Sequence, residues 1–251
     1  MNLFDLTGKT AIVTGSNTGL GQAICVGLSE AGCNIVGVSR RSSEETRKLI
    51  EEKNGKFYEI NADLSDINNV AIIIKKANDY FGRVDILVNN AGMILRSDSI
   101  DVSEEDWDKV LDVNLKTVFF LSTEFARNCI SNNHGGKIIN IASMLSYQGG
   151  YRVSSYCASK SAVMGITKSL CNEWAIKGIN VNAIAPGYFE TNNTKDLRND
   201  QNRNEAILER IPAGRWGNPN DLIGAVIYLA SDASNYVNGF TIAVDGGWLA
   251  R

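Results

Sequence analysis

The sequence predicts an α/β protein in which helices cover both faces of a seven-stranded parallel sheet, the doubly wound arrangement. Short β-branched runs alternate along the chain with longer stretches of helical periodicity, as expected for repeated strand–helix–strand units. Most of the short runs are almost wholly apolar, which is typical of strands buried on both faces. The chain has 251 residues, of which 44% are hydrophobic. This is enough for one large core, and we expect residues 1–251 to form a single domain.

Seven runs account for the predicted strands, and each combines β-branched or other apolar residues over a length suited to a buried strand. They are Thr10–Thr14, Asn34–Val38, Phe57–Ile60, Ile86–Val88, Lys137–Ile141, Asn180–Ala185 and Thr241–Val244. Because they are separated by long helical stretches rather than tight turns, we expect them to pair in parallel.

Six helices are predicted between the strands from apolar residues at helical spacing. They are Leu20–Glu30, Glu44–Glu52, Asn68–Tyr80, Glu104–Asn128, Ser155–Trp174 and Asp221–Leu229. Ser103 precedes three acidic residues, which suits the positive N-terminal end of a helix. The polar segment Thr191–Asn204 lacks strong periodicity, and we expect it to be a mobile excursion from the α/β core.

The charge balance argues against a nucleic-acid-binding protein. The chain carries 25 basic and 28 acidic residues, for a formal net charge of −3, with no basic excess. The first residues lack the pattern of a signal peptide, and no apolar run is long enough to cross a bilayer. We therefore expect a cytoplasmic protein that binds neither nucleic acid nor membrane.

The cysteines and the single histidine suggest neither disulfides nor a metal site. The cysteines form no Cys-x-x-Cys pair, and a chain of this length needs no covalent staples. His134 lies in a polar turn, which also makes a Ser-His-Asp hydrolase a poor interpretation. We expect no metal and reduced thiols at Cys25, Cys33, Cys129, Cys157 and Cys171.

A glycine-rich loop, Thr-Gly-Ser-Asn-Thr-Gly-Leu-Gly, joins the first strand to the first helix at residues 14–21. Glycines let the backbone approach a pyrophosphate, while the start of the helix offers free N–H donors. Taken alone, the same glycines also fit an ordinary turn between a strand and a helix.

A tyrosine and a lysine lie one helical turn apart at Tyr156 and Lys160. The unperturbed pKa of tyrosine, about 10, is too high for a base near neutrality, and a nearby ammonium can lower it. This pair alone could occur on any surface helix. Ser143 strengthens the hypothesis because it follows the fifth strand, at the edge where open α/β sheets bind ligands.

The spacing of the first loop, together with Asn89-Asn90-Ala91-Gly92 after the fourth strand, resembles the short-chain dehydrogenase/reductase family. The resemblance runs from about Lys9 to the C-terminus. It implies the Rossmann fold, a nicotinamide cofactor (NAD or NADP) and, by its common assembly, a homotetramer. The cofactor-binding residues that it implies are Gly15, Asn17, Thr18, Gly19, Leu20, Gly21, Ser39, Arg40, Asp63, Leu64, Asn90, Ala91, Gly92, Tyr156, Lys160, Pro186, Gly187 and Thr191.

The residues after the second strand bear on the choice of cofactor. A carboxylate there would bind the ribose hydroxyls of NAD, whereas an arginine would attract the 2′-phosphate of NADP. Ser39 and Arg40 occupy this place, so the local charge favours NADP. Within the family, however, the most similar members favour NAD, and a solvated turn also explains Arg40. Both cofactors stay open.

The resemblance further implies four catalytic residues. Ser143 would donate a hydrogen bond to the substrate oxygen, and Tyr156 would exchange the proton. Lys160 would lower the pKa of Tyr156, and Asn114 would hold a water that links Lys160 to solvent. An asparagine within a helix otherwise has little intrinsic preference for that position, although a partly exposed polar residue remains an alternative.

Longer stretches resemble family members that act on keto or hydroxy sugar acids such as 2-dehydro-3-deoxy-D-gluconate. Those stretches are Ile138–Gly150, Asn180–Thr194, Arg210–Gly217 and Tyr236–Arg251. Gluconate 5-dehydrogenases and acyl-carrier-protein ketoreductases share the shorter motifs and remain alternatives, as does an NAD(P)-binding regulatory protein on the same fold. The substrate-binding candidates are Ser143, Arg152, Arg96, Gln148 and Tyr188, with Asn192 and Asn193 nearby. Arg152 is our first candidate for binding a carboxylate, Arg96 our second.

Overall fold

In the computed structural model, which describes residues 2–251, all seven predicted strands form one parallel sheet. The strands are β1 (Thr10–Thr14), β2 (Asn34–Ser39), β3 (Phe57–Asn61), β4 (Ile86–Asn89), β5 (Gly136–Ile141), β6 (Ile179–Pro186) and β7 (Thr241–Val244). Their order across the sheet is β3-β2-β1-β4-β5-β6-β7. The predicted doubly wound α/β fold is therefore confirmed.

Nine α-helices are described within residues 2–251. They are α1 (Gly19–Glu30), α2 (Glu44–Glu51), α3 (Asn69–Phe81), α4 (Glu104–Leu111), α5 (Thr117–Ser131), α6 (Ser154–Trp174), α7 (Lys195–Asn199), α8 (Gln201–Arg210) and α9 (Ile223–Ala230). All but the peripheral α7 and α8 cover the two faces of this sheet. Ile24 of α1 and Val226 of α9 belong to the core on one face. Phe125 of α5 and Leu170 of α6 belong to the core on the other. This two-sided burial explains why most strands are apolar throughout.

The predicted helix Glu104–Asn128 is wrong in one respect, because the structure divides it. A wide π-helical turn, Asp112–Lys116, separates α4 from α5. The turn contains Asn114, whose buried side chain bonds to neighbouring segments instead of facing solvent. Such turns occur often at functional sites.

The segment Thr191–Asn204 also differs from its prediction, because it contains α7 and the start of α8 rather than irregular chain. Local caps explain the helical turns, one at the 3-10 turn Asn192–Thr194 that leads into α7 and one at the start of α8. The Thr194 hydroxyl accepts a hydrogen bond from the Thr191 N–H at 3.2 Å, and Asp200 accepts one from the Arg203 N–H at 3.1 Å. Caps of this kind stabilise short helices whose apolar periodicity is weak.

Within residues 2–251, no helix combines the length and apolar character that crossing a bilayer requires. In the same part of the chain, no three or more His, Cys, Asp or Glu side chains gather as a metal site would need. All five cysteines are unpaired there.

Candidate functional site

The candidate site begins where β1 and β4 run into loops that lie side by side. The Thr14 hydroxyl accepts hydrogen bonds from the backbone N–H of Asn90 at 3.0 Å and of Ala91 at 2.9 Å. The Asn90 side-chain amide donates to the Thr14 carbonyl at 2.9 Å. The strand order reverses between β1 and β4, and open α/β sheets bind ligands in the crevice at such a point.

The glycines of the first loop meet definite backbone requirements. Gly15 and Gly19 have φ values of +69° and +57°, in the left-handed region that favours glycine. A Cβ atom at Gly21 would lie 2.0 Å from the Gly15 carbonyl oxygen, so only glycine fits there. Since α1 begins at Gly19, its free N–H groups face the loop. The loop therefore has the shape and the donors that a pyrophosphate needs.

A groove of about 300 Å³ opens above this loop and joins most of the predicted cofactor and catalytic residues. The predicted residues that line it are Gly15, Asn17, Thr18, Gly19, Leu20, Gly21, Asn90, Ala91, Gly92, Ser143, Tyr156, Lys160, Pro186, Gly187 and Thr191. The four other predicted cofactor residues, Ser39, Arg40, Asp63 and Leu64, lie outside this lining, at or just beyond the ends of β2 and β3. The predicted catalytic residue Asn114 also lies outside it.

At that outer end, Ser39 and Arg40 differ in what they can offer a ligand. The Ser39 hydroxyl is buried and bonds to Ser43 and to the Arg41 carbonyl, so it is already used within the protein. The Arg40 side chain is 71% exposed and lies 3.9 Å from the Asp63 carboxylate. Hydrogen bonds from Ser65 lower the pKa of Asp63, with a smaller contribution from Arg40.

Tyr156 and Ser143 face one another in the groove. Ser143 lies two residues beyond the end of β5. Its hydroxyl oxygen accepts a hydrogen bond from the Leu145 N–H at 3.1 Å. Its O–H can therefore donate, either to the Tyr156 oxygen or to a ligand oxygen. Burial raises the pKa of Tyr156 above its ordinary value, and the neighbouring Ser143 side chain opposes the rise. Without a bound ligand, Tyr156 is therefore a protonated donor at neutral pH.

Lys160 lies on the same face of α6 as Tyr156, as the spacing predicts. Its Nζ is 5.8 Å from the centre of the Tyr156 ring and donates to the Ile141 carbonyl at 2.6 Å. Burial lowers the pKa of Lys160 to about 8. Burial, Ser143, Cys157 and Arg96 account for the pKa shift of Tyr156 in this arrangement, so the role of Lys160 in lowering that pKa stays a prediction.

We expect the buried Lys160 to leave a signature in the pH dependence of stability. Its pKa is lower in the folded protein than the ordinary 10.5, so the unfolded chain holds this proton more tightly. Stability rises with pH wherever the unfolded state binds more protons. The wild type should therefore gain stability relative to Lys160→Met as the pH rises from about 8 to 10.5.

Chemical denaturation of both proteins across this range, without added nucleotide, tests the expectation. Lys168→Met, at an exposed position of the same helix, controls for the loss of a lysine. A difference between wild type and Lys160→Met that stays constant from pH 8 to 10.5 would contradict the low pKa of Lys160.

Asn114 occupies the π-helical turn and is fully buried. Its side-chain amide donates to the Met93 carbonyl at 2.9 Å and to the Ser159 hydroxyl at 3.1 Å, while its oxygen accepts from the Met93 N–H at 2.8 Å. Both amide protons are thus used to hold the chain after Gly92 against α6. The partly exposed alternative for Asn114 is wrong.

A second cavity of about 380 Å³ adjoins the groove, and Ser143 and Tyr156 line both. Its lining includes Arg96, Arg203 and Arg210 but no carboxylate side chain. All three arginines lie near the Tyr188 hydroxyl, where they oppose the rise in its pKa that burial causes. In a protein of net charge −3, this concentration of positive charge favours an anionic ligand.

Among the predicted substrate residues, Arg96, Gln148, Tyr188 and Ser143 line this cavity, whereas Arg152 does not. The Arg152 guanidinium instead pairs with Asp98 at 3.1 Å, and its backbone has a φ of +61°. This left-handed conformation and the ion pair direct Arg152 toward the loop before α4, so our first candidate for binding a carboxylate is placed elsewhere.

Sequence reasoning missed Arg203 and Arg210 as cavity residues. Arg203 lies in the segment Thr191–Asn204, which was expected to be irregular, and Arg210 was noted only as the first residue of the stretch Arg210–Gly217. The spacing of Arg203, Ile207 and Arg210 was an available signal, since positions i, i+4 and i+7 share one face of a helix. Ile207 is buried and anchors that face to the protein. The same face then brings both arginines to the cavity.

Comparison with known proteins agrees with this geometry. A family model described as enoyl-(acyl carrier protein) reductase matches residues 15–249. The crystal structure of a short-chain type dehydrogenase/reductase from Mycobacterium marinum is 33% identical with a TM-score of 0.95, and covers 100% of this chain and 99% of that one. The chain belongs to the short-chain dehydrogenase/reductase family.

Two further members of the short-chain dehydrogenase/reductase family are more similar. A 2-dehydro-3-deoxy-D-gluconate 5-dehydrogenase from Dickeya dadantii (strain 3937) is 61% identical over 251 residues, which are 100% of this chain and 99% of the relative. A putative 2-deoxy-D-gluconate 3-dehydrogenase from Agrobacterium tumefaciens, solved with bound NADP, is 53% identical with a TM-score of 0.95 and full coverage of both chains.

Proposed function

We propose that this protein is an NAD(P)-dependent oxidoreductase that transfers a hydride between the cofactor and a keto or hydroxy sugar acid, such as 2-dehydro-3-deoxy-D-gluconate. The observation that carries the proposal is the cavity beside Tyr156, which is lined by three arginines and no carboxylate side chain. The substrate named for the relative from Dickeya dadantii supports the same chemical class.

The groove fits a nicotinamide dinucleotide. Its glycine loop follows a tight backbone path, with positive φ at Gly15 and Gly19 and no space for a Cβ atom at Gly21, and α1 presents free N–H groups to a pyrophosphate. Bound NAD or NADP would supply the hydride acceptor or donor. Thr191 lies across from Gly19, 3.5 Å from where a Cβ atom at Gly19 would be, so it closes the other side of the groove.

The chain's own residues handle the proton and the substrate oxygen. In alcohol oxidation, the substrate O–H bond breaks and its proton passes to Tyr156 in its ionised form, while the hydride of the C–H bond would pass to the oxidised cofactor and the carbonyl forms. Ser143 donates a hydrogen bond to that oxygen in both directions. We expect the Lys160 ammonium, 5.8 Å from the centre of the Tyr156 ring, to stabilise the negative charge of the ionised phenol by attraction. Asn114 fixes the segment that borders Lys160.

The alternatives fit these residues less well. An acyl thioester carries no carboxylate near its reacting carbonyl and would leave the three arginines of the cavity without a partner. A regulatory protein that only binds nucleotide would not need a hydroxyl pair such as Tyr156 and Ser143 at the end of its groove.

We further propose that the protein is cytoplasmic and a homotetramer, as is common in this family.

A spectrophotometric panel tests the proposal. Keto acids derived from uronates and from gluconate, together with an acetoacetyl thioester, would be offered with NADH and with NADPH. We expect the highest kcat/KM with a six-carbon keto acid. A clear preference for the thioester, or no turnover of any sugar acid, would contradict the proposed substrate class.

Arg40 provides a test of how the cofactor's adenosine end is bound. Its exposed guanidinium lies beyond β2, where it can pair with the 2′-phosphate of NADPH. We expect Arg40→Asp to weaken NADPH binding by about ten- to a hundredfold, as for a lost charge-assisted bond, with little effect on NADH. Arg41→Asp makes the same change in charge next to it. If Arg40→Asp weakened the binding of NADPH and NADH equally, or if Arg41→Asp had the same effect as Arg40→Asp, Arg40 would be a residue of a solvated turn without a specific role.

A further inference from the structure

We propose that Arg210 binds the carboxylate of the substrate, and that the indole of Trp248 positions the Arg210 side chain for this purpose. The inference rests on the proposed sugar-acid activity. It identifies one specificity-determining residue and one positioning residue within the cavity next to Tyr156.

Arg210 is held in place before any ligand binds. Its guanidinium carbon lies 4.0 Å from the centre of the Trp248 ring, and one terminal nitrogen donates to the Gln148 side-chain oxygen at 3.1 Å. Within residues 2–251, the Arg210 side chain makes no other hydrogen bond, ion pair or cation–π contact. A guanidinium has five N–H donors, so an edge remains that can bind a carboxylate through two parallel bonds.

The other two arginines of the cavity are less suited to this task. Arg96 donates to the Asn193 carbonyl at 3.2 Å and so holds the loop before α7. Arg203 has no polar side-chain contact within the described part of the chain. Binding a ligand to it would therefore cost the conformational entropy of ordering its side chain, which weakens the affinity. Of the three arginines, Arg210 has the most contacts that set its position, and these come from side chains of the cavity itself.

Trp248 is itself fixed, which allows it to fix Arg210. Its side chain is buried and makes an edge-to-face contact with Tyr188, at 4.8 Å between ring centres and 70° between ring planes. The backbone at Arg210 is held as well, because the Arg251 guanidinium donates to the carbonyls of Arg210 at 3.2 Å and Glu209 at 2.7 Å. The end of α8 and the segment around Trp248 thus form one rigid support.

The first experiment compares 2-dehydro-3-deoxy-D-gluconate with its neutral amide. We expect Arg210→Met to raise KM for the acid by about ten- to a hundredfold, the range for a lost charge-assisted bidentate contact. The kcat for the acid and both constants for the amide should stay within about twofold, since Arg210 does not touch the reacting oxygen. Arg210→Lys keeps the charge without the fork and should give an intermediate KM.

The second experiment isolates the role of Trp248. We expect Trp248→Leu to raise KM for the acid by about three- to tenfold, as for a lost cation–π contact, and Trp248→Phe to recover part of this loss. The double variant with Arg210→Met should be no worse than Arg210→Met alone, because Trp248 acts through Arg210. Trp216→Phe controls for loosening of the aromatic cluster, since Trp216 contacts Tyr188 but is not the ring beneath Arg210.

Three results would overturn the inference. Equal losses for acid and amide in Arg210→Met would make Arg210 structural, and a larger acid-specific loss in Arg96→Met or Arg203→Met would move the carboxylate elsewhere. If the increases in KM from Arg210→Met and Trp248→Leu multiplied in the double variant, Trp248 would not act through Arg210. Circular dichroism and NADPH binding of each variant identify those that fail to fold. Failure of the proposed function itself is distinct, because the wild type would then turn over no sugar acid.

Discussion

Replacing Tyr156 by phenylalanine should lower kcat by about two to four orders of magnitude, the contribution expected of a positioned general acid or base. The change removes only the phenolic oxygen, so the ring still packs in the groove beside Ser143. Because Tyr156 carries the proton in the proposed reaction, no other group at the junction of the groove and the cavity can replace it. Binding of NADPH should change by no more than about twofold, since the glycine loop is untouched.

Steady-state kinetics and fluorescence titration with NADPH test this prediction together. Tyr80→Phe, at an exposed position on α3, is the matched control and should behave as the wild type. If Tyr156→Phe kept more than a few per cent of the wild-type kcat, another proton donor would have to be sought. A parallel loss of NADPH affinity would instead indicate a general disturbance of the groove.

The second large effect is expected at the glycine loop. An added methyl group in Gly21→Ala would lie 2.0 Å from the Gly15 carbonyl oxygen and 2.6 Å from the Asn90 side-chain nitrogen. Both atoms belong to the junction of β1 and β4, so the loop must move away from it. We expect a loss of about 3 kcal/mol in stability, the upper end for overpacking. Displacement of the loop should weaken NADPH binding by a hundredfold or more, about 3 kcal/mol.

Gly165→Ala provides the matched control. This glycine lies in α6 with no atom within 4 Å of an added Cβ, so alanine there should stabilise the protein by about 0.5–1 kcal/mol and leave NADPH binding unchanged. Thermal unfolding and NADPH titration of both variants separate the two quantities. Wild-type affinity in Gly21→Ala would contradict the close contact on which this account of the loop depends.

The sequence was sufficient to predict the sheet because the strands are buried on both faces. Strand β1, for example, is apolar enough to be recognised without knowledge of its neighbours, and its predicted bounds agree with the structure. The loop that follows it was equally accessible, since its glycines meet local backbone requirements at Gly15 and Gly19. Local chemistry and local geometry agree at these positions.

Contacts between distant segments could not be predicted in the same way. The division of the helix at Asn114 depends on hydrogen bonds to Met93 and Ser159, which lie 21 and 45 residues away in the chain. The direction of Arg152 depends on Asp98. The pKa of Tyr156 depends on burial, which spacing along one helix does not reveal. Each of these features is set by tertiary packing.

The proton-transfer residues and the cations of the cavity belong to different parts of the architecture. Tyr156 and Lys160 lie on α6, which packs on the sheet, whereas Arg203 and Arg210 lie on α8, a short peripheral helix attached mainly through Ile207. Over evolutionary time, mutations in the peripheral helix can therefore retune which metabolite is accepted while the inherited chemistry is preserved. After gene duplication, substitutions in this one segment would be enough to give a paralogue with a different substrate specificity.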